Sequence, residues 1–239
     1  MFTEKDYDKL QQLMAESPEN RALIQKLLSS HQETISTISH EIRNPLTLVY
    51  STLQLIESQH PEVIRFRHWD SLHDDLEYMK QLLEDLSSYN KHSLRVQEFD
   101  FGVFLKQVVL SFAADCSDSE IEFTSYISSE LPVIQADHVK LREVFLNLLR
   151  NAKEAIASSG SIRLDATCSD HNIVVTIQDS GCGIPDEYLP DLFTPFVTHK
   201  DNGTGLGLAI VKRTLDLHQG SIAVDSSDSG STFTITLPY

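Results

Sequence analysis

The first 101 residues of the chain contain no glycine. One glycine, Gly102, precedes residue 150, and the other eight fall between Gly160 and Gly230. Glycine and proline punctuate strands and loops, so a chain divided this way is expected to be mostly helical first and mixed later. The apolar pattern points the same way. From Ile35 the series Ile35, Ile38, Ile42, Leu46, Val49, Leu53 and Ile56 advances in steps of three or four, which is a helical seam. A connector falls around residues 58–61. Leu72, Leu76, Met79, Leu83 and Leu86 then form a second stripe with heptad spacing. Upstream, residues 1–16 suit a short amphipathic helix, with Ser17 placed to cap the next helix and Pro18 at its first position. Two helices with one stripe each cannot bury both faces well as an isolated hairpin. Pairing with a second copy would give a four-helix bundle; packing on the C-terminal half is the alternative.

Beyond about Arg95 the period changes. A short strand is expected at residues 99–101 and a helix from Val103 to about Ala114. Strands are expected where Ile121, Phe123, Ser125 and Ile127 alternate, and again at residues 162–166 and 173–177. Helices are expected at 138–157 and 205–218, with closing strands at 221–225 and 232–237. The fold class is therefore α+β. A helical hairpin forming a dimeric four-helix bundle precedes an α/β sandwich with one mixed sheet and helices on one face. The expected domains are 1–30, an N-terminal helical segment; 31–95, the hairpin; and 96–239, the sandwich.

The chain of 239 residues has room for a substantial core. Its 35 acidic against 19 basic side chains give a net charge of −16, which argues against nucleic acid or anionic membrane as default partners. No apolar run approaches the roughly 20 residues of a membrane span. The charged N-terminus has no apolar signal core, so a soluble cytoplasmic chain without a membrane span is expected. Cys116, Cys168 and Cys182 are odd in number and form no C-x-x-C, which fits free thiols in a reducing compartment.

Five stretches carry chemistry. In S-H-E-I-R-N-P-L, residues 39–46, His40 lies two positions from both Ile38 and Ile42 and so points away from the seam. An exposed imidazole can act as a nucleophile. Glu41 beside it could accept a hydrogen bond from the ring. Asn44, one turn on, could orient a water. Pro45 removes a backbone donor and crowds the Glu41 carbonyl, so a bend is expected there. Alternatively, the octet is a solvated helix face.

In N-L-L-R-N-A-K-E-A, Asn147 and Asn151 share a helix face, and their amide oxygens are hard ligands suited to Mg²⁺. In D-S-G-C-G-I-P, Asp179 at a strand end could accept from an exocyclic amine such as that of adenine. Gly181 and Gly183 would let the backbone turn close to a flat base. Phe193 and Phe196 bracket a turn in F-T-P-F. G-T-G-L-G-L, comprising Gly203, Thr204, Gly205, Leu206, Gly207 and Leu208, opens a helix and can present amides to phosphates. It is neither a Walker A motif nor a dinucleotide fingerprint, since no G-K-[ST] follows and no strand precedes it. Solvated amides, a plain turn, core aromatics and a flexible cap are the alternatives for these four.

Taken in order, the five stretches resemble the phosphoacceptor box, N box, first glycine box, F box and second glycine box of bacterial sensor histidine kinases. The resemblance covers about residues 30–239. N-A-K-E-A and F-T-P-F-V-T-H-K are most similar to the nitrogen-regulatory branch. The resemblance implies that ATP and Mg²⁺ bind the C-terminal half, that His40 is phosphorylated with Glu41 as its base, and that Asn44 supports dephosphorylation of a partner. It implies that Asn151 holds Mg²⁺, Asn147 contacts nucleotide and Asp179 binds the adenine amine. Gly181, Gly183, Gly203, Gly205 and Gly207 would shape the pocket and a lid at about 186–204. Lys200 would reach the phosphates, and Thr232 would line the adenine site. The implied partners are a second copy of the chain and a response-regulator receiver domain. An ATP-driven clamp of the same nucleotide-binding superfamily and a non-catalytic phosphorelay scaffold are the rival readings.

Overall fold

The structure, a computed structural model, describes residues 17–90, 93–117, 119–200 and 203–239, together with Lys9 and Leu13. The helix expected at 1–16 lies outside this description apart from those two positions. The chain divides into two compact units, Met1–Asn90 and Lys91–Tyr239.

The first unit is a helical hairpin. Helix α1, Pro18–Gln59, begins as the sequence predicts: the Ser17 hydroxyl accepts from the Glu19 N–H and Pro18 takes the first turn. The helix is continuous through residue 30, so no element boundary falls there, and it also runs on through Pro45. A short 3₁₀ turn, Pro61–Arg65, leads to helix α2, Trp69–Asn90. Leu46 and Leu53 of α1 meet Leu76 and Leu83 of α2 in a small core closed by Trp69. Trp69 donates its indole N–H to Glu57 Oε1 at 2.8 Å, and His73 Nε2 lies 2.8 Å from the same oxygen. This staples the closed end of the hairpin.

Only two members of each predicted seam are buried there. Val49 and Met79, between the buried positions, and Ile38, Ile42 and Leu72, before them, remain 40–48 % exposed. One hairpin has too narrow a contact to cover both stripes, as the heptad spacing implies.

The second unit opens with β1, Gln97–Asp100, followed by α3, Phe101–Cys116, β2, Glu120–Ile127, and β3, Val133–Ala136. Then come α4, His138–Glu154, β4, Ser159–Ser169, β5, Asn172–Asp179, α5, Gly207–Leu217, β6, Ser221–Ser227, and β7, Gly230–Pro238. Strands β1 and β3 form a separate antiparallel pair. The main sheet has the order β2-β4-β5-β7-β6. Its β2–β4 pair is parallel and the other pairs are antiparallel.

Strict alternation of buried residues on β5 and β7 directs Ile173, Val175, Ile177, Phe233, Ile235 and Leu237 into one core with the helices. Phe101, Phe112, Phe145, Leu141, Leu148 and Leu215 supply the helical side of that core. The mixed sheet with helices on one face is the architecture expected. Strand β3 was not foreseen: four residues with two buried positions carry too little pattern to register. The residues at 99–101 also differ from expectation. The strand ends at Asp100, whose carboxylate caps α3 by accepting from the Val103 N–H at 2.8 Å.

Candidate active site

On the hairpin, His40 is exposed, as its position off the seam requires. It lines an open depression of 440 Å³ with Glu33, Ser36, Thr37, Glu41 and Asn44, one turn-by-turn stripe of α1. The ring's hydrogen-bond partner is Arg43, not Glu41: Arg43 Nη1 lies 3.3 Å from His40 Nδ1. A guanidinium only donates, so Nδ1 accepts and the proton of the neutral ring sits on Nε2. Arg43 also reaches the Leu83 carbonyl of α2 at 3.5 Å, which ties the His40 turn to the second helix. Sequence reasoning passed over Arg43, although it lies three residues from His40 on the same helix face.

In the second unit, β5 delivers Asp179 and the neighbouring loops deliver its partners. Asp179 is only 5 % exposed. Its Oδ1 accepts from the Gly181 N–H at 2.8 Å and from the Ser231 N–H at 3.3 Å. Among the described residues Oδ2 has no hydrogen-bond partner. Burial pushes this carboxyl above the usual carboxylate range, and the two N–H donors offset only part of that shift. A buried acceptor with one satisfied oxygen and one open oxygen fits a ligand that brings its own donor, such as an aromatic amine.

The loop after Asp179 approaches other backbone closely. A side chain at Gly181 would meet the Ala155 carbonyl at 2.6 Å. Gly183 has φ +70°, where any Cβ would collide with the Ser227 carbonyl. The cradle is thus shaped by backbone.

Helix α4 brings the paired amides. Asn147 Nδ2 lies 3.5 Å from the carbonyl of Gly207, the first residue of α5. Asn151 Oδ1 accepts from Lys200 Nζ at 3.1 Å, and the same ammonium meets Glu154 Oε2 at 2.5 Å. Gly203 donates its N–H to the Lys200 carbonyl at 3.2 Å. Thr204 Oγ1 accepts from the Leu206 N–H at 3.3 Å, in the turn that leads into α5. The Gly205 carbonyl accepts from the Phe196 N–H at 2.9 Å. Leu206 is fully buried, which pins this end of the glycine-rich run to the core.

The structure therefore gathers Asp179 with Gly181, and Asn147 with Gly207. Asn151 and Lys200 meet in a third contact, which also takes in Glu154. Thr232 is not brought to Asp179. It pairs with Gln178 in the β5–β7 ladder, one residue out of phase with the buried positions of both strands. Its neighbour Ser231 is the residue that touches Asp179. The Ser231 hydroxyl lies 2.9 Å from Ser226 Oγ, and Ser226 in turn accepts from the Ile184 N–H at 2.8 Å. Two-residue alternation on β7 could have separated the two positions had Asp179 been assigned to the core face.

Two family models match the chain. Residues 30–93 match the His kinase A (phospho-acceptor) domain, and residues 136–239 match the histidine kinase-, DNA gyrase B-, and HSP90-like ATPase. The signal transduction histidine-protein kinase AtoS of Escherichia coli (strain K12) is 32% identical over 215 residues, 88% of this chain and 35% of AtoS. Sporulation kinase C of Bacillus subtilis (strain 168) is 31% identical over 215 residues, 88% of this chain and 50% of that protein. The chain thus spans between a third and a half of the length of these two relatives. Among solved structures, full-length ShkA in complex with AMPPNP superposes with a TM-score of 0.74 at 27% identity, covering 86% of this chain and 45% of ShkA. The histidine kinase ThkA in complex with the response regulator protein TrrA gives a TM-score of 0.64 at 25% identity, over 90% of this chain and 63% of ThkA.

Proposed function

Because the chain belongs to the histidine kinases, with both the phosphoacceptor and the ATPase domain of that family, we propose that it phosphorylates His40 from ATP and passes the phosphoryl group to an Asp of a response-regulator receiver domain. The observation that carries the reading is the pairing, in one chain, of an exposed His40 on a hairpin with a buried Asp179 whose Oδ2 faces no protein donor among the described residues. AMPPNP bound to ShkA supports the nucleotide, and TrrA bound to ThkA supports the receiver.

ATP would present its adenine amine to Asp179 Oδ2, with the Gly181–Gly183 backbone against the base. Asn147, Asn151 and the loop leading into α5 would face the phosphates. Asn151 Oδ1 would hold Mg²⁺; the bound ion would neutralise phosphate charge.

For transfer, a ring nitrogen of His40 must offer a free lone pair. Nε2 does so when the ring proton moves to Nδ1, where Glu41 replaces Arg43 as partner. The Nε2–P bond then forms as the bond between the γ-phosphorus and the β,γ-bridging oxygen breaks, ADP leaves with that electron pair, and the Nδ1 proton passes to the Glu41 carboxylate. Asn44, one turn above His40, would orient water for dephosphorylation of the partner.

The exposed residues of the two seams fit a second copy of the hairpin, giving a homodimer. That predicts a particle of twice the 27.0 kDa chain mass by light scattering. The N-A-K-E-A and F-T-P-F-V-T-H-K stretches favour the nitrogen-regulatory branch. None of the described helices is long and apolar enough to cross a membrane, which is in keeping with a cytoplasmic site of action.

The test is incubation with γ-labelled ATP and Mg²⁺, beside His40→Gln and Asn151→Ala. Acid-labile, alkali-stable label in the parent and none in either variant is the expected result. Label that persists in His40→Gln would sink the assignment.

A further inference from the structure

We propose that Glu154 is a positioning residue that holds Lys200 on α4 and thereby makes nucleotide binding depend on a divalent cation. This rests on the ATP-binding reading above. Glu154 follows Asn151 by three residues, one turn along the same helix face. Lys200 comes from the loop before the glycine-rich run and places its ammonium between these two side chains, 2.5 Å from Glu154 Oε2 and 3.1 Å from Asn151 Oδ1. Its backbone is held as well. The Lys200 N–H donates to Thr198 Oγ1 at 3.2 Å, and its carbonyl accepts from the Gly203 N–H at 3.2 Å. The cation is thus anchored at both ends, and its position is specified by an acid that no nucleotide contact requires.

The consequence is electrostatic. The side chains of Lys200 and Glu154 are 49% and 56% exposed, so their pairing is weak enough to exchange. A triphosphate arriving beside Asn151 would draw Lys200 away. That would break the Lys200–Glu154 pair, and the lost pairing is a cost that falls on metal-free ATP. A divalent cation taken up at Asn151 Oδ1 supplies the positive charge that Lys200 gives up. Glu154 therefore makes the site select ATP together with its metal over ATP alone. Lys200 and the metal are alternative partners for the same two oxygen-bearing side chains.

The experiment is calorimetric titration of the 239-residue chain with ATP, in EDTA and in Mg²⁺, read as the ratio of the two dissociation constants. Glu154→Gln is expected to lower that ratio about five- to tenfold, chiefly by tightening the metal-free complex. Glu154→Asp, which keeps the charge, should hold the parent ratio within about twofold. In a Lys200→Ala background, Glu154→Gln should change the ratio by less than about twofold, because the partner it acts through is gone. An unchanged ratio in Glu154→Gln overturns the proposal. So does a full effect without Lys200, which would mean that Glu154 acts on the phosphates directly. Absence of ATP binding by the parent chain in both buffers would instead refute the nucleotide reading itself.

Discussion

Asp179 shows how a single residue can trade stability for binding. Its carboxyl is raised above the ordinary 3.8 by burial. A carboxyl raised in the folded state costs stability as pH climbs from that ordinary value through the folded value, and the full cost persists above the folded value. Asp179→Asn keeps an oxygen for the Gly181 and Ser231 N–H groups but removes the buried charge. It should therefore melt no lower than the parent at pH 7 by calorimetry, while ATP affinity falls about 100-fold because the open acceptor becomes a donor facing a donor. A lowered melting temperature would place the role of Asp179 in folding. His40, Asn151 and Asp179 were legible because residue type and spacing alone mark them. Ser231 and Glu154 were not. Their contacts join strands or loops 52 and 46 residues apart, a proximity that only the folded chain creates.

At the scale of elements, helix α1 is the instructive case. A bend was expected at Pro45, and α1 continues through it in one piece from Pro18 to Gln59. Leu46 and Leu53, buried against Leu76 and Leu83, hold the helix beside the missing backbone bond. Tertiary packing has outweighed a local penalty of about 3 kcal/mol. Pro45→Ala should restore the bond to the Glu41 carbonyl and stabilise the hairpin by about 1–3 kcal/mol. Trp69 is the chain's only tryptophan and sits at the hairpin's closed end, so its fluorescence on heating reports that unit selectively. If the restored turn also stiffens the His40 neighbourhood, the ratio of autophosphorylation to partner dephosphorylation will shift. An unchanged ratio with a raised melting point would limit Pro45 to a structural role.

At the scale of the whole molecule, the second unit is closed by a hydrogen-bonded node at the start of α4 and the end of α5, the helix ends away from Asn151 and Gly207. His218, following α5, offers Nδ1 to the Thr214 carbonyl at 2.7 Å and accepts the Asp137 N–H on Nε2 at 3.0 Å. Asp137 caps α4 through Val139 and Lys140 and accepts the Arg95 N–H at 2.8 Å. One node thus joins the entry of the domain to the two helices that carry Asn151 and Gly207. Burial lowers the His218 pKa below 6.5, with a smaller push from the Lys140 cation, and outweighs the Thr214 carbonyl and the Asp137 carboxylate, which raise it. A histidine depressed in the folded state leaves stability intact above 6.5 and removes it as pH falls from there toward the folded value. Asp137 is pushed up by burial but held below 3.8 on balance by its three N–H donors and Lys140, so it withdraws further stability only in stronger acid. The melting point of this unit by circular dichroism should drop between about pH 7 and pH 5.5. His218→Gln should flatten that slope while lowering the melting point at pH 7.

The sequence by itself determined what is local and periodic. The helical seams, the Ser17–Pro18 start, the alternating strands and the five chemical stretches are set by neighbours within a few residues, where steric and hydrogen-bonding rules act directly. Tertiary structure decided which half of each seam the hairpin buries, which face of β7 meets Asp179, and which partners His40 and Lys200 take. Those outcomes depend on strand pairing and helix contact across tens of residues. There, burial of apolar area and satisfaction of buried polar groups choose among arrangements that the local pattern leaves equal.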